Sequence, residues 1–453
     1  MGKYFGTDGF RGEAGVSLTA EHSFKIGRYL GFHLRKSKNS QKPRVVIGKD
    51  TRLSSYMLEY AMASGFAASG SDVYLMHVTT TPSVSYVTKN GGFDLGIMIT
   101  ASHNPFSDNG IKIMESDGGK MSDSLANLVE EYLDSDELCS ALPFTSNADI
   151  GRIYDYYAGR NAYIGHLISS ATRSYKRFKI GLDAANGSAF AISRSVFSAL
   201  GAEVSAIGAD PNGLNVNEGY GSTHPEALSR LVREEGLDIG FAFDGDADRC
   251  IAVDSQGDIV DGDAILYVLA NRFKRLGMLK NDTAVATVAS NFGLLESLTS
   301  LGIRLLMTGV GDRFVAEKMK ESGAVLGGEQ SGHIIMSDYL GTGDGILTAL
   351  MICEEIRDTK MSLRELTKGL IRYPQRSLNV RVKDKASAIK DTRVMESIAS
   401  ASSLISGKGR VLVRESGTEP VIRILAEAAD LSLCDKCISE IVSALAFGGY
   451  IDG

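Results

Sequence analysis

The sequence predicts an α/β protein made of three topologically similar α/β domains followed by a smaller α+β domain at the C-terminus. Three observations carry this reading. At roughly 150 residues per domain, 453 residues suffice for several modest cores. A plan of strand, polar turn and helix recurs three times along the chain. Phe-Asp-Leu-Gly-Ile at 93–97 and Leu-Asp-Ile-Gly-Phe at 237–241 also match closely enough to point to internal duplication. The expected domains are 1–150, 151–255, 256–368 and 369–453.

In the first unit, Arg44 to Gly48 is a short β-rich run, and Lys49 to Ser55 a polar turn. Leu58, Ala61, Met62, Gly65 and Phe66 then follow with helical spacing. Lys179 to Leu182 with the turn Asp183 to Gly187, and Ala284 to Val288 with Ser290 to Gly293, begin the second and third units in the same way. Each unit supplies another strand that runs into a polar loop, where α/β proteins collect ligands. Phe93 to Ile97 leads to Thr100-Ala101-Ser102-His103-Asn104-Pro105, and Leu237 to Phe241 leads to Asp244-Gly245-Asp246-Ala247-Asp248-Arg249. Gly323 to Leu326 leads to Gly327-Gly328-Glu329-Gln330-Ser331-Gly332-His333. Beyond about residue 370 the pattern changes: Leu378 to Val382, Gly409 to Val413 and Val421 to Leu425 read as strands, the last two separated by Arg414-Glu415-Ser416-Gly417-Thr418-Glu419-Pro420.

Composition excludes several classes. With 48 basic and 55 acidic residues the net charge is −7, which argues against a general nucleic-acid or anionic-membrane binder. No apolar run approaches the 18 residues of a membrane span and the N-terminus has no secretory core, so a cytoplasmic location is expected. The five cysteines are scattered and odd in number, unlike a disulfide framework. Cys434 and Cys437 share helical spacing with Ile438, Ile441 and Leu445, which predicts an amphipathic helix and no metal site.

The loops carry chemistry. Asp244, Asp246 and Asp248 can converge either along an extended segment or in a turn. Ionised together, they repel by roughly 4 kcal/mol per pair at an effective dielectric near 20. A hard divalent cation relieves this, and oxygen ligation suits Mg²⁺. An EF-hand is excluded because Arg249 stands where Gly is needed and Ser255 where the bidentate Glu is needed. Ser102 next to His103 is not a catalytic triad, since adjacent side chains rarely face one another, and by itself the segment reads as a turn. Arg414, Ser416, Gly417 and Thr418, with Arg423 on the following strand, have the groups that cradle a phosphate dianion, and a solvated β-turn is the plain alternative. Glu329, Ser331 and His333 alternate in a glycine-rich loop and could face a polyol.

Together and in this order the four loops resemble the α-D-phosphohexomutase superfamily over essentially the whole chain. Within it, Gly6-Thr7-Asp8-Gly9-Phe10-Arg11-Gly12, Gly327 to His333, Asn212-Gly213-Leu214-Asn215-Val216-Asn217 and Gly221 to Glu226 are most similar to bacterial phosphoglucosamine mutases. Gln330 stands where relatives acting on glucose or mannose phosphates tend to carry Met, and Ala247 where the metal loop often has glycine. The resemblance implies domains around a central cleft, with Ser102 carrying the phosphoryl group. It also implies that Asp244, Asp246, Asp248 and the phosphoserine at Ser102 bind Mg²⁺, that Glu329 and Ser331 read the sugar, and that Arg414, Ser416, Gly417, Thr418 and Arg423 hold the non-reacting phosphate. Arg11 and Arg249 would add positive charge, and Lys112 and His333 are the acid/base candidates. The lysine role requires neighbouring cations to lower its pKa.

The implied reaction interconverts glucosamine 6-phosphate and glucosamine 1-phosphate through a 1,6-bisphosphate, with glucosamine or glucose 1,6-bisphosphate as activator, and feeds UDP-N-acetylglucosamine and cell-envelope synthesis. The partner is a small hexosamine phosphate, with no nucleic acid or membrane, and a homodimer is left open. A phosphoglucomutase or phosphomannomutase, and more remotely a sugar-phosphate phosphatase or binding protein, are the alternatives.

Overall fold

The computed structural model describes residues 3–6, 8–37, 42–416 and 420–451. Among these the strands form four sheets, three of which share one plan. In the first, Arg44–Lys49 is flanked in parallel by Asp72–Val78 and Leu95–Ile99, and the sheet continues beyond Leu95–Ile99 through antiparallel Asp108–Glu115 and Gly9–Glu13. In the second, Lys179–Asp183 lies between parallel Glu203–Ile207 and Ile239–Phe243, followed by antiparallel Cys250–Asp254 and Ile259–Val260. The third repeats it with Thr283–Thr287 between Arg304–Thr308 and Leu326–Gly328, then Ile334–Met336 and Leu340–Gly343. The central strands are apolar runs with Val45, Val46, Ile47, Ala284, Val285 and Ala286 fully buried, as expected of parallel strands covered on both faces.

The repeated Asp-x-Gly pattern has a local cause. Asp94 and Asp238 stand just before their strands, and each carboxylate accepts a 2.8 Å hydrogen bond from the backbone N–H that opens the neighbouring strand, Arg44 in one case and Lys179 in the other. The strands therefore begin two residues later than the sequence pattern suggests, at Leu95 and Ile239. Gly96 and Gly240 admit a helix onto the sheet: a Cβ on Gly96 would lie 2.0 Å from Thr88 Oγ1, and one on Gly240 2.8 Å from Val232 Cγ2.

The described residues within 1–289 and 303–368 form one compact unit, which contains these three sheets. A second unit comprises 290–302 and 369–453. Its antiparallel sheet sets Val421–Glu427 between Gln375–Arg381 and Arg410–Glu415. Helices Thr392–Leu404 and Leu431–Phe447 contribute Val394, Ala401, Ile438 and Leu445 to a core shared with Ile422 and Ile424. Cys434 and Cys437 are buried free thiols in that core, on the amphipathic helix that their spacing predicts. Helix Phe292–Ser300 belongs to this unit as well: the Glu427 carboxylate accepts from Phe292 N–H at 3.1 Å, and Asn291 Oδ1 accepts from Tyr373 N–H at 3.0 Å. No helix among the described residues is long and apolar enough to cross a membrane.

Candidate active site

The three polar loops leave topologically equivalent strands. Leu95–Ile99, Ile239–Phe243 and Leu326–Gly328 are each the last parallel strand before their sheet turns antiparallel, so the shared topology aims the loop that follows each strand in the same way. Ser102 lies 1 % exposed in the first loop with φ +54°, a left-handed value that is strained for a non-glycine residue. Its Oγ donates to Asp244 Oδ2 at 2.6 Å. The same backbone twist brings the neighbouring imidazole within reach, with Ser102 Oγ 3.3 Å from His103 Nδ1. Adjacent Ser and His side chains therefore do face one another here, contrary to the sequence expectation. Burial, aided by Arg249 and Arg11, lowers His103 to about 4, so its ring is neutral near pH 7.

A turn, and not an extended segment, gathers the aspartates. The second-sheet strand ends at Phe243 and the next begins at Cys250. Between them Ala247 adopts φ +58° and its N–H bonds to Asp244 O at 3.1 Å. Ligand oxygens of Asp244, Asp246 and Asp248 all lie within 4.8 Å of one another, and all three residues are buried. Burial, together with Asp248 and Asp246, pushes the Asp244 carboxyl well above the usual carboxylate range. Asp246 Oδ1 and Asp248 Oδ1 are buried with no hydrogen-bond partner among the described residues. Converging carboxylates with unspent oxygens fit a hard divalent cation.

Lys112, on Asp108–Glu115, donates to Asp246 Oδ2 at 2.6 Å and Asp248 Oδ2 at 2.9 Å, and Asp246 also accepts from the Thr81 hydroxyl. Burial and Arg11 act to lower the Lys112 pKa, but Asp246, Asp248 and Asp8 outweigh them and hold it above its ordinary value. In this arrangement Lys112 pairs with two carboxylates, and the net lowering by neighbouring cations that an acid/base role requires is not seen. Arg11 pairs with Asp8 at 3.1 Å, and Arg249 donates its backbone N–H to Asp244 at 3.2 Å.

At the third loop, Glu329 Oε1 accepts from Gly311 N–H at 3.1 Å, and burial raises its carboxyl above the ordinary value. His333 is 3 % exposed with Nε2 3.4 Å from Asp312 Oδ2, and Ser331 is half-buried. Asp312 also pairs with Lys120 at 2.6 Å, and Lys120 reaches Asp8 at 3.0 Å. This ionic chain links the third loop to the first sheet. Asp8 lies in a motif quoted above, whereas nothing in the sequence marks Lys120, Asp312 or Thr81.

In the second unit Arg414 and Arg423 face each other in register on adjacent strands. Burial and the Arg423 charge lower the Arg414 pKa. Arg423 Nη2 donates to Ser416 Oγ at 3.4 Å. Two opposed guanidiniums beside a hydroxyl are groups able to hold a multiply charged anion. Gly417 and Thr418 lie outside the described residues.

Comparison with known proteins agrees with this arrangement. Family models described as phosphoglucomutase/phosphomannomutase α/β/α domains I, II and III match residues 2–138, 161–257 and 261–373, and the C-terminal domain model matches 378–444. A protein named phosphoglucosamine mutase from Lachnoclostridium phytofermentans is 51% identical over 451 residues, spanning 100% of both chains. One of the same name from Bacillus subtilis is 46% identical over 445 residues, covering 98% of each. A crystal structure of a phosphoglucomutase/phosphomannomutase family protein from Burkholderia thailandensis superposes with a TM-score of 0.80 at 26% identity, covering 98% of this chain and 96% of the other. Four domain matches in order, full-length relatives and three equivalent loops agree: the chain belongs to the phosphoglucomutase/phosphomannomutase family, within the α-D-phosphohexomutase superfamily.

Proposed function

We propose that the protein is a phosphoglucosamine mutase that interconverts glucosamine 6-phosphate and glucosamine 1-phosphate through a phosphoserine at Ser102. The observation that supports this most directly is the buried Ser102 hydroxyl, hydrogen-bonded at 2.6 Å into the three-aspartate cluster. That full-length relatives bear that name supports the reading of an aminosugar substrate ahead of glucose or mannose phosphates. In the forward direction the sugar O1 attacks the phosphorus of phospho-Ser102. The P–O bond to Ser102 Oγ breaks, the new O1–P bond forms, the O1 proton passes to a base and Oγ regains a proton. The 1,6-bisphosphate turns over, and its 6-phosphoryl group returns to Ser102 by the same chemistry reversed.

Asp244, Asp246 and Asp248 would hold Mg²⁺, which when bound neutralises charge on the transferring group. Arg11 and Arg249 supply further positive charge beside the serine. His333, 3.4 Å from Asp312, and Lys112 are the two acid/base candidates, Lys112 acting as a proton donor while Asp246 and Asp248 hold it charged. Glu329 and Ser331 read the sugar. Arg414, Ser416 and Arg423, with Gly417 and Thr418, hold the distal phosphate, and a hexose 1,6-bisphosphate primes the serine.

A coupled assay of the purified protein with Mg²⁺ and bisphosphate activator, on glucosamine, glucose and mannose phosphates, tests the reading. The fastest turnover is expected on glucosamine 6-phosphate. Release of free phosphate without sugar 1-phosphate would instead identify a phosphatase.

A further inference from the structure

The Ser102 loop is held from behind by two side chains to which neither the reaction nor the loop motifs give a role. Arg52 is fully buried, and its guanidinium is spent on the backbone of this loop. Nη2 donates to Ser102 O at 3.0 Å and Asn104 O at 2.8 Å, and Nη1 donates to Asp108 O at 3.1 Å and to Pro105 O. Nε donates to Asp50 Oδ2 at 2.8 Å, and Asp50, also fully buried, accepts from the Thr100 hydroxyl at 2.7 Å. From the second domain Asn217 Nδ2 donates to the same two carbonyls, Ser102 O at 2.8 Å and Asn104 O at 3.0 Å. Asn217 takes φ +60° to do so, and its own N–H is anchored on Ala185 O at 2.8 Å.

A buried ion pair is weak evidence for stability, because desolvation offsets its attraction. Its geometry is more informative. Ser102 is strained at φ +54°, and such a conformation persists only where its surroundings over-determine it. Two donors from two domains fix the Ser102 carbonyl, and hence the peptide plane after it, at the residue whose Oγ bonds to Asp244. We infer that Arg52 and Asn217 are positioning residues that hold the Ser102 loop in its strained, transfer-competent form by clamping the carbonyls of Ser102 and Asn104. This rests on the reading that Ser102 carries the phosphoryl group.

The test uses the full chain with radiolabelled phospho-Ser102, measuring single-turnover transfer to glucosamine 6-phosphate alongside kcat and KM. Asn217→Ala is expected to slow transfer and kcat by about 10- to 100-fold, the scale of a misplacement of about 1 Å, with KM changed less than about threefold. Arg52→Ala should lose more, and free guanidinium should restore at least part of its rate while leaving Asn217→Ala unchanged. Should Arg52→Ala fail to fold, Arg52→Lys, which keeps the charge without the fork, is expected to show the same kcat loss. Wild-type transfer rates in Asn217→Ala or Arg52→Lys, or a loss confined to KM, would overturn the proposal alone. No transfer from Ser102 in the wild-type protein would overturn the reading of Ser102 as the phosphoryl carrier, and the proposal with it.

Discussion

Ser102 Oγ donates a 2.6 Å hydrogen bond to Asp244 Oδ2, joining residues 142 positions apart on the equivalent loops of two repeated sheets. A candidate nucleophile and a candidate metal ligand in direct contact suit phosphoryl transfer, which depends mainly on positioning and charge neutralisation.

Removing one carboxylate should weaken cation binding before it harms the fold. Asp246→Asn is expected to raise the Mg²⁺ dissociation constant by at least about tenfold in calorimetry and to lower turnover by orders of magnitude. Full activity of the wild-type protein in excess EDTA would contradict the cation's role.

Gly245 touches the nucleophile loop where no side chain fits. A Cβ there would sit 2.5 Å from Ser102 O and 3.2 Å from Asn217 Nδ2. Because the nearest atom is backbone, Gly245→Ala should displace the loop, costing about 1–3 kcal/mol of stability and at least tenfold in kcat. A variant with unchanged melting temperature and kcat would show that the loops separate freely.

Phosphate holding and sugar reading should separate by mutation. On the proposed reading Arg414, opposed to Arg423 on neighbouring strands, holds the phosphate and not the sugar, so Arg414→Ala should raise KM for glucosamine 6-phosphate and glucose 6-phosphate alike. Glu329→Gln removes an anionic acceptor suited to an ammonium and should penalise the aminosugar more. Kinetics on both sugars check this, and a changed sugar ratio in Arg414→Ala with a constant ratio in Glu329→Gln would reverse the assignment.

Asp344 caps helix Gly345–Thr359 through Leu347 N–H at 2.9 Å and accepts from Tyr163 OH at 2.7 Å. Burial raises its carboxyl from 3.8 to about 6. The folded protein thus binds a proton more tightly than the unfolded chain, so this residue's contribution is fully present below pH 4 and is lost as pH rises through about 6. Relative to Asp344→Asn, the wild-type protein should lose about 3 kcal/mol of stability between those limits. Melting curves of both proteins at several pH values check it, and a constant difference would contradict the shift.

What was legible in the sequence was local. The strand-ending loops, the duplicated Asp-x-Gly pattern and the amphipathic helix around Cys434 and Cys437 depend on neighbours in the chain, and the structure adds only their physical causes. The charge state of Lys112 was not legible, because it is set by Asp246 and Asp248, more than 130 positions away. Nor was the Lys120–Asp312 pair, 192 positions apart. The facing of Ser102 and His103 required a left-handed residue that no local signal announces. Arg52 lies in a polar turn and Asn217 in a loop motif, and neither carries a local signal for a partner in the Ser102 loop, 50 and 115 positions away.

The most direct test of the account is the fate of the phosphoryl group on Ser102. With label on phospho-Ser102, mixing with glucosamine 6-phosphate should move the label into the sugar bisphosphate and glucosamine 1-phosphate in one turnover, and Ser102→Ala should neither take up label nor turn over. Label that stays on Ser102 or leaves only as free phosphate, or a Ser102→Ala protein with near wild-type mutase activity, would contradict it.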